Sequence, residues 1–294
     1  MLITKFAWVS FIASCLIIGG TPSSSKSQSN VGTPVPTRDE PNSKVKVLAA
    51  GLHSTVQNTF VAVIRDAETY TQLRKLTPEL PKLEAEFFQS RAVVAAFLGE
   101  RNTGGYDLEI TAEGTGVRVT EKTPGKGMMV PQMITAPYKI VSLSAPGTSS
   151  VVAFYPASAN AMQSYSVRSG EFTNGGGFAG TIEHYGLEGK VEVMRHANLV
   201  TFNFFLKNAG ETNEHLLFET VTGVTDKRGA LTISKMNAGT LVSIPNGGLK
   251  AKGQFSNENT RFSLEFSPGS SQFVDGYGGG GAIEAIIIRP SQKP

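Results

Sequence analysis

The sequence predicts a mainly β protein: a small α+β domain followed by an antiparallel β-sandwich or barrel. Three observations carry this reading. Glycine is abundant, at 32 of 294 residues, while charged residues make up only 17%, a balance that suits turn-dense sheet better than helical bundles. Short runs rich in Val, Ile, Phe and Thr recur through the C-terminal half with Gly and Asn between them, the pattern of strands joined by turns. A helical repeat, Tyr70, Leu73 and Leu76 on one face, stands in the N-terminal half. The length is about twice that of a usual domain, so two domains are expected.

The chain opens on an export signal. Lys5 precedes an apolar run over 6–18, too short to span a bilayer and of the right size for a signal-peptide core, so 1–20 is expected to act as a signal peptide. Within it, Ile12-Ala13-Ser14-Cys15 resembles a bacterial lipobox, which makes Cys15 a candidate for lipidation and membrane attachment. Ordinary cleavage around 19–21 is the competing reading. Cys15 is the only cysteine, so an internal disulfide is excluded. The next stretch, 21–44, is rich in Ser, Pro and Thr and has no aromatic residue; it cannot bury enough surface to offset its ordering entropy and reads as a linker. The expected destination is the periplasm, outer membrane or cell surface of a bacterium.

The first domain is expected over 45–160. Phe60, Val61, Val63 and Ile64 form a strand-like run, and Asp66 stands where a helix N-cap belongs, with Glu68 in the first turn. Pro78 and Pro81 end the helical segment. The continuous apolar run from Val93 to Leu98 predicts a strand buried on both faces. It enters the turn Gly99, Glu100, Arg101, Asn102, Thr103, Gly104, Gly105, closed by Tyr106. Leu108 and Ile110 alternate with polar residues, as do Val117 and Val119, predicting two half-buried strands. Residues 124–127 read as a turn, 128–134 as a further strand, and 137–141 as another with Pro137 at its start.

The order of helix, buried strand, G-x-x-x-T-G-G-Y turn and T-x-P-Y-x-I-V strand resembles the PrcB C-terminal domain family. It is carried by Gly99, Thr103, Gly104, Gly105, Tyr106, Thr135, Pro137, Tyr138, Ile140 and Val141, over about 60–143. That family is named for a lipoprotein subunit of a bacterial surface protease complex. The resemblance implies an exported accessory or complex-forming domain with a protein partner, a protease among the candidates, and no catalysis of its own.

The second domain is expected over 161–294. Strand signals fall at 165–172, 180–185, 190–195, 199–207, 216–225, 230–234, 240–244, 249–255, 261–266 and 282–288, spaced as in a sandwich or barrel. No repeat of propeller or solenoid period is present.

Little in the chain points to catalysis. Two G-x-G-x-x-G matches, 175–180 and 276–281, lack the strand before and helix after that would aim a helix N-terminus at a pyrophosphate. His53, His184, His196 and His215 have no metal-ligand spacing, no G-x-S-x-G elbow occurs, and no cofactor or metal is expected. A net charge of +3 without a basic cluster gives no reason to expect nucleic acid. The candidate binding residues are Arg101, Asn102, Thr103, Gly104, Gly105 and Tyr106, with Arg101 expected to be exposed and multidentate. The expected function is a non-enzymatic binding role, and oligomeric state is not legible. One alternative is a protease inhibitor using Thr103 to Tyr106, with faint similarity to the N-P-T-T-G-Y loop of chagasin-like inhibitors at Thr103, Gly105 and Tyr106. The other is a carbohydrate-binding module in the second domain, which requires exposed aromatics such as Tyr277.

Overall fold

The computed structural model describes residues 45–114, 116–145, 151–155, 162–175, 182–211, 217–236, 248–268 and 278–288. The expected signal peptide with Cys15, the expected linker 21–44, the run 240–244, His215 and Tyr277 lie outside the described residues.

Strand β1 (Val45–Gly51) opens the described chain, followed by β2 (Phe60–Ile64), helix α1 (Ala67–Leu76), the short helix α2 (Phe87–Ser90) and β3 (Arg91–Phe97). Asp66 caps α1 as its position predicts: its carboxylate accepts the Thr69 N–H at 2.7 Å, satisfying one of the amides that a helix start leaves free. Tyr70 and Leu73 turn inward, at 1% and 0% exposure. The chain continues through β4 (Asp107–Glu113), β5 (Gly116–Lys122), β6 (Tyr138–Ser144) and β7 (Ala153–Phe154). Strands β1, β6, β3 and β2 form a four-stranded sheet in that order, and β4, β5 and β7 a three-stranded one. The whole of β3 beyond Arg91 is buried, as its unbroken apolar run requires.

Residues 128–134, expected as a strand, form a loop. Pro131 has no amide to give to a ladder, and its carbonyl accepts the Gly104 N–H at 2.9 Å.

The remaining strands are β8 (Gln163–Gly175), β9 (Ile182–His196), β10 (Leu199–Asn208), β11 (Leu217–Thr225), β12 (Ala230–Met236), β13 (Leu249–Phe255), β14 (Arg261–Pro268) and β15 (Gly278–Ile287). They close into an eight-stranded antiparallel barrel, with β15 pairing back onto β8. Of the two predicted alternatives, sandwich or barrel, the barrel is the one formed. Of the two runs expected at 180–185 and 190–195, residues 182–185 and 190–195 lie in one continuous strand, β9. Gly189 permits this: it sits at φ +139°, and a Cβ there would lie 2.1 Å from the Phe205 carbonyl oxygen.

Eight strands leave an interior just wide enough for side chains to fill. Val200, Phe202, Phe204 and Leu206 alternate inward from β10 and meet Phe255, Phe262 and Phe266 from β13 and β14. The barrel interior is thus an aromatic core.

The outer wall of the barrel at β10 and β11 receives the N-terminal sheet. Met194 and Leu199 belong to the same apolar cluster as β2 and β3. The free edge of β2 is covered: the Val63 N–H donates to Thr222 Oγ1 at 2.9 Å, and Thr222 lies 2.9 Å from Thr201 Oγ1. Just past β2, Arg65 Nε lies 3.0 Å from Glu219 Oε1 of β11 with both side chains buried, a charge pair that joins the two regions.

Candidate functional site

The predicted site is the turn that follows β3. Gly99 starts it at φ +75°, where a Cβ would lie 2.4 Å from the Gln57 carbonyl oxygen, so the backbone of 57–58 passes where any side chain would stand. Glu100 N–H donates to that carbonyl at 2.9 Å. Arg101 then pairs with Thr135 through both backbone bonds, 2.7 and 2.9 Å, and Thr135 Oγ1 donates to the Thr103 carbonyl at 2.9 Å. Thr135, one of the residues that carried the family resemblance, fixes the turn from below.

Arg101 is multidentate toward its own chain. Its Nε lies 3.0 Å from Glu121 Oε1, its Nη1 donates to the Leu98 and Glu100 carbonyls at 2.8 and 3.0 Å, and its guanidinium stands 5.6 Å from the centre of the Tyr106 ring. The side chain is 21% exposed, so the expected exposed cation is a partly buried one. Tyr106 is half-buried and packs on the N-terminal core. Gly104 is buried against Pro131, and Gly105, at φ +84°, has Val130 and Pro124 against it. Asn102 and Gly105 face solvent, and Thr103 is half-buried. The six predicted residues therefore lie together, but most of their bonding capacity is directed inward and fixes the shape of the turn.

What packs on the turn is the loop 125–134, with Pro131 against Gly104 and Val130 against Gly105. Met128, Met129, Met133 and Ile134 are 64, 100, 46 and 65% exposed, with Leu52 nearby at 50%. The loop is held at its base: Gly104 N–H bonds Pro131, Ala136 N–H bonds the Leu52 carbonyl at 2.7 Å, and Met128 N–H bonds the Gly125 carbonyl at 3.0 Å. Four large apolar side chains are thus displayed from a fixed backbone. A run of methionines around a proline was the available clue, since the proline denies the run a ladder while the thioethers suit an adaptable contact surface.

Behind the turn, the Tyr138 hydroxyl donates to the Glu79 carboxylate, and burial, followed by that bond and that charge, pushes the phenol up to about 12. Lys139 Nζ donates to the Leu108 carbonyl and stands 3.7 Å from Asp107. These contacts tie β6 to its surroundings.

The histidines are dispersed. His53 is exposed, His184 Nδ1 lies 3.3 Å from Thr173 Oγ1, and His196 packs on the Phe60 ring. Among the described residues no group of three or more His, Cys, Asp or Glu is arranged to hold a metal ion. On the outer face of the barrel a shallow depression of about 940 Å³ is lined by Glu171, Lys252, Ser263, Glu265 and Glu284 among others. Gly280 and Gly281 at its edge belong to β15, so the second glycine motif leads into a strand and supplies no helix N-terminus to a phosphate. None of the aromatic side chains described on the barrel is exposed.

Comparison with known proteins bears on this part of the molecule. Residues 92–144 match the model of the family described as PrcB C-terminal. The match spans β3 to β6 and contains both the turn and the apolar loop; β2 and α1, which the resemblance included, lie outside it. No curated protein matches the chain. A solved structure of a multidomain protein including DUF1735 from Bacteroides ovatus is 11% identical, covering 86% of this chain and 92% of that one, with a TM-score of 0.22.

Proposed function

We propose that the chain is an exported, non-enzymatic accessory or complex-forming protein that acts through protein–protein contacts, with the loop 125–134 and the adjoining turn 102–105 as the contact surface. The observation that carries this reading is the joint exposure of Met128, Met129, Met133 and Ile134 on a loop whose base is hydrogen bonded. Burying such a side chain against a partner is worth about 1.5–3 kcal/mol, and a fixed loop loses little further entropy on binding. The PrcB C-terminal match over this stretch supports the same reading. A protease is one candidate partner by that resemblance. Export places the contact in the periplasm, outer membrane or at the cell surface, with Cys15 as the residue that lipidation would anchor; no cofactor enters.

A pull-down from bacterial envelope extracts tests it, using the wild-type chain beside a Met129→Ser, Ile134→Ser variant. The expected result is a protein recovered by the wild type and depleted with the variant. Recovery that the variant leaves unchanged, or no protein above control, would remove the loop from the contact surface.

A further inference from the structure

We propose that the loop 125–134 is a methionine-oxidation site, at which a peroxide converts exposed thioethers to sulfoxides and so removes the apolar surface. The inference rests on the reading of this loop as a contact surface and adds its chemical control. The chain has 7 methionines. Three of them, Met128, Met129 and Met133, stand on this one loop and are exposed, whereas Met194 and Met236 are 1% and 0% exposed in the two apolar clusters. The same molecule thus carries accessible and shielded thioethers under one fold.

Met128 adds a local feature. Its sulfur accepts the Gly125 N–H at 3.3 Å while its own N–H bonds the Gly125 carbonyl, so the thioether is folded back onto the turn that starts the loop. Met129, fully exposed, has no such shelter and is the first target. In the reaction a sulfur lone pair attacks one oxygen of the peroxide. The S–O bond forms as the O–O bond breaks, and the leaving oxygen departs as water carrying both peroxide protons. Sulfur is oxidised by two electrons and the peroxide reduced by two. A flexible apolar side chain becomes a polar one with a strong acceptor oxygen.

Graded hydrogen peroxide applied to the full chain, followed by residue-resolved peptide mass spectrometry, tests the site. Sulfoxide is expected at Met129, then at Met128 and Met133, at doses about tenfold below those that reach Met194 and Met236. Equal oxidation of the buried pair in a chain with unchanged circular dichroism would overturn the proposal. Retention on a hydrophobic-interaction column gives the second readout. The oxidised wild type is expected to elute earlier than the reduced form, and a Met128→Leu, Met129→Leu, Met133→Leu variant to keep its retention after the same dose. An equal shift in that variant, or none in a wild type carrying the sulfoxides, would refute the loss of apolar surface; Met129→Leu alone repeats the comparison should the triple variant not fold. Neither readout uses a partner, so failure here is distinct from failure of the pull-down.

Discussion

The barrel and the sheets that precede it dispose of apolar surface in opposite ways. The barrel closes on itself: its inward residues, with Phe202, Phe204, Phe255, Phe262 and Phe266 among them, satisfy one another, and on its described strands Ile286 is the large apolar side chain left exposed. The N-terminal sheets are open. They complete their core with Met194 and Leu199 from the barrel wall, and at the far end of β6 they leave Leu52, Met128, Met129, Met133 and Ile134 in water. A closed sheet has no edge to manage, so it can serve as a wall. The open sheet needs that wall on one side, and its exposed loop is where a further surface could be completed.

The strongest way to break this comparison is at the joint. Glu219 shares its strand face with Leu217 and Val221 of the barrel core, yet it pairs with Arg65 from the N-terminal region. Glu219→Gln takes the paired carboxylate from a buried guanidinium, and such a loss costs about 3–5 kcal/mol. Urea denaturation is expected to show a lower midpoint and one shared transition. A double change, Arg65→Met with Glu219→Leu, should recover most of the loss, because well-packed apolar residues of similar volume replace buried ion pairs at little cost. A single-variant loss below about 1 kcal/mol would mean that the pair does not bind the regions together.

A smaller effect separates the turn from its surroundings. Gly99→Ala meets both a positive φ and the Gln57 carbonyl 2.4 Å from the new Cβ, whereas Gly114→Ala meets φ +58° with nothing within 4 Å. The second change carries backbone strain alone, about 1 kcal/mol, and the first should exceed it, at about 1–3 kcal/mol. Thermal midpoints of the two variants against wild type measure the difference. Equal losses would show that the 57–58 backbone gives way, and that the turn is less firmly seated than its hydrogen bonds imply.

These residues also mark where the sequence was legible. Alternation exposed β4, β5 and β10, an apolar run exposed β3, and a cap followed by spaced apolar residues exposed α1, because each is a local pattern set by side-chain period. The glycines of the turn were legible as unusual backbone. Direction was not: Arg101 reads as a free cation until Glu121 and the Leu98 and Glu100 carbonyls are placed around it. The run 128–134 is apolar enough for a strand, but Pro131 has no amide for a ladder and its carbonyl accepts from Gly104 instead. Arg65 and Glu219 are far apart in the chain, and no local pattern connects them.

The smallest effect is the pH dependence of the same joint. His196, at the end of β9, packs with its ring centre 5.8 Å from that of Phe60, and burial pushes its imidazole below the ordinary value of 6.5. The folded chain therefore favours the neutral ring, while the unfolded chain takes up a proton first as the solution is acidified. The contribution of His196 is full above the ordinary value and is lost as pH falls through it toward the lower folded value. Stability measured at about pH 7.5 and about pH 5.5 crosses the ordinary value, where the loss begins, and stays above the usual carboxylate range. A His196→Asn variant should lose less stability between the two conditions than the wild type. An equal loss in both would place the acid sensitivity elsewhere and leave the contact between β9 and β2 as packing alone.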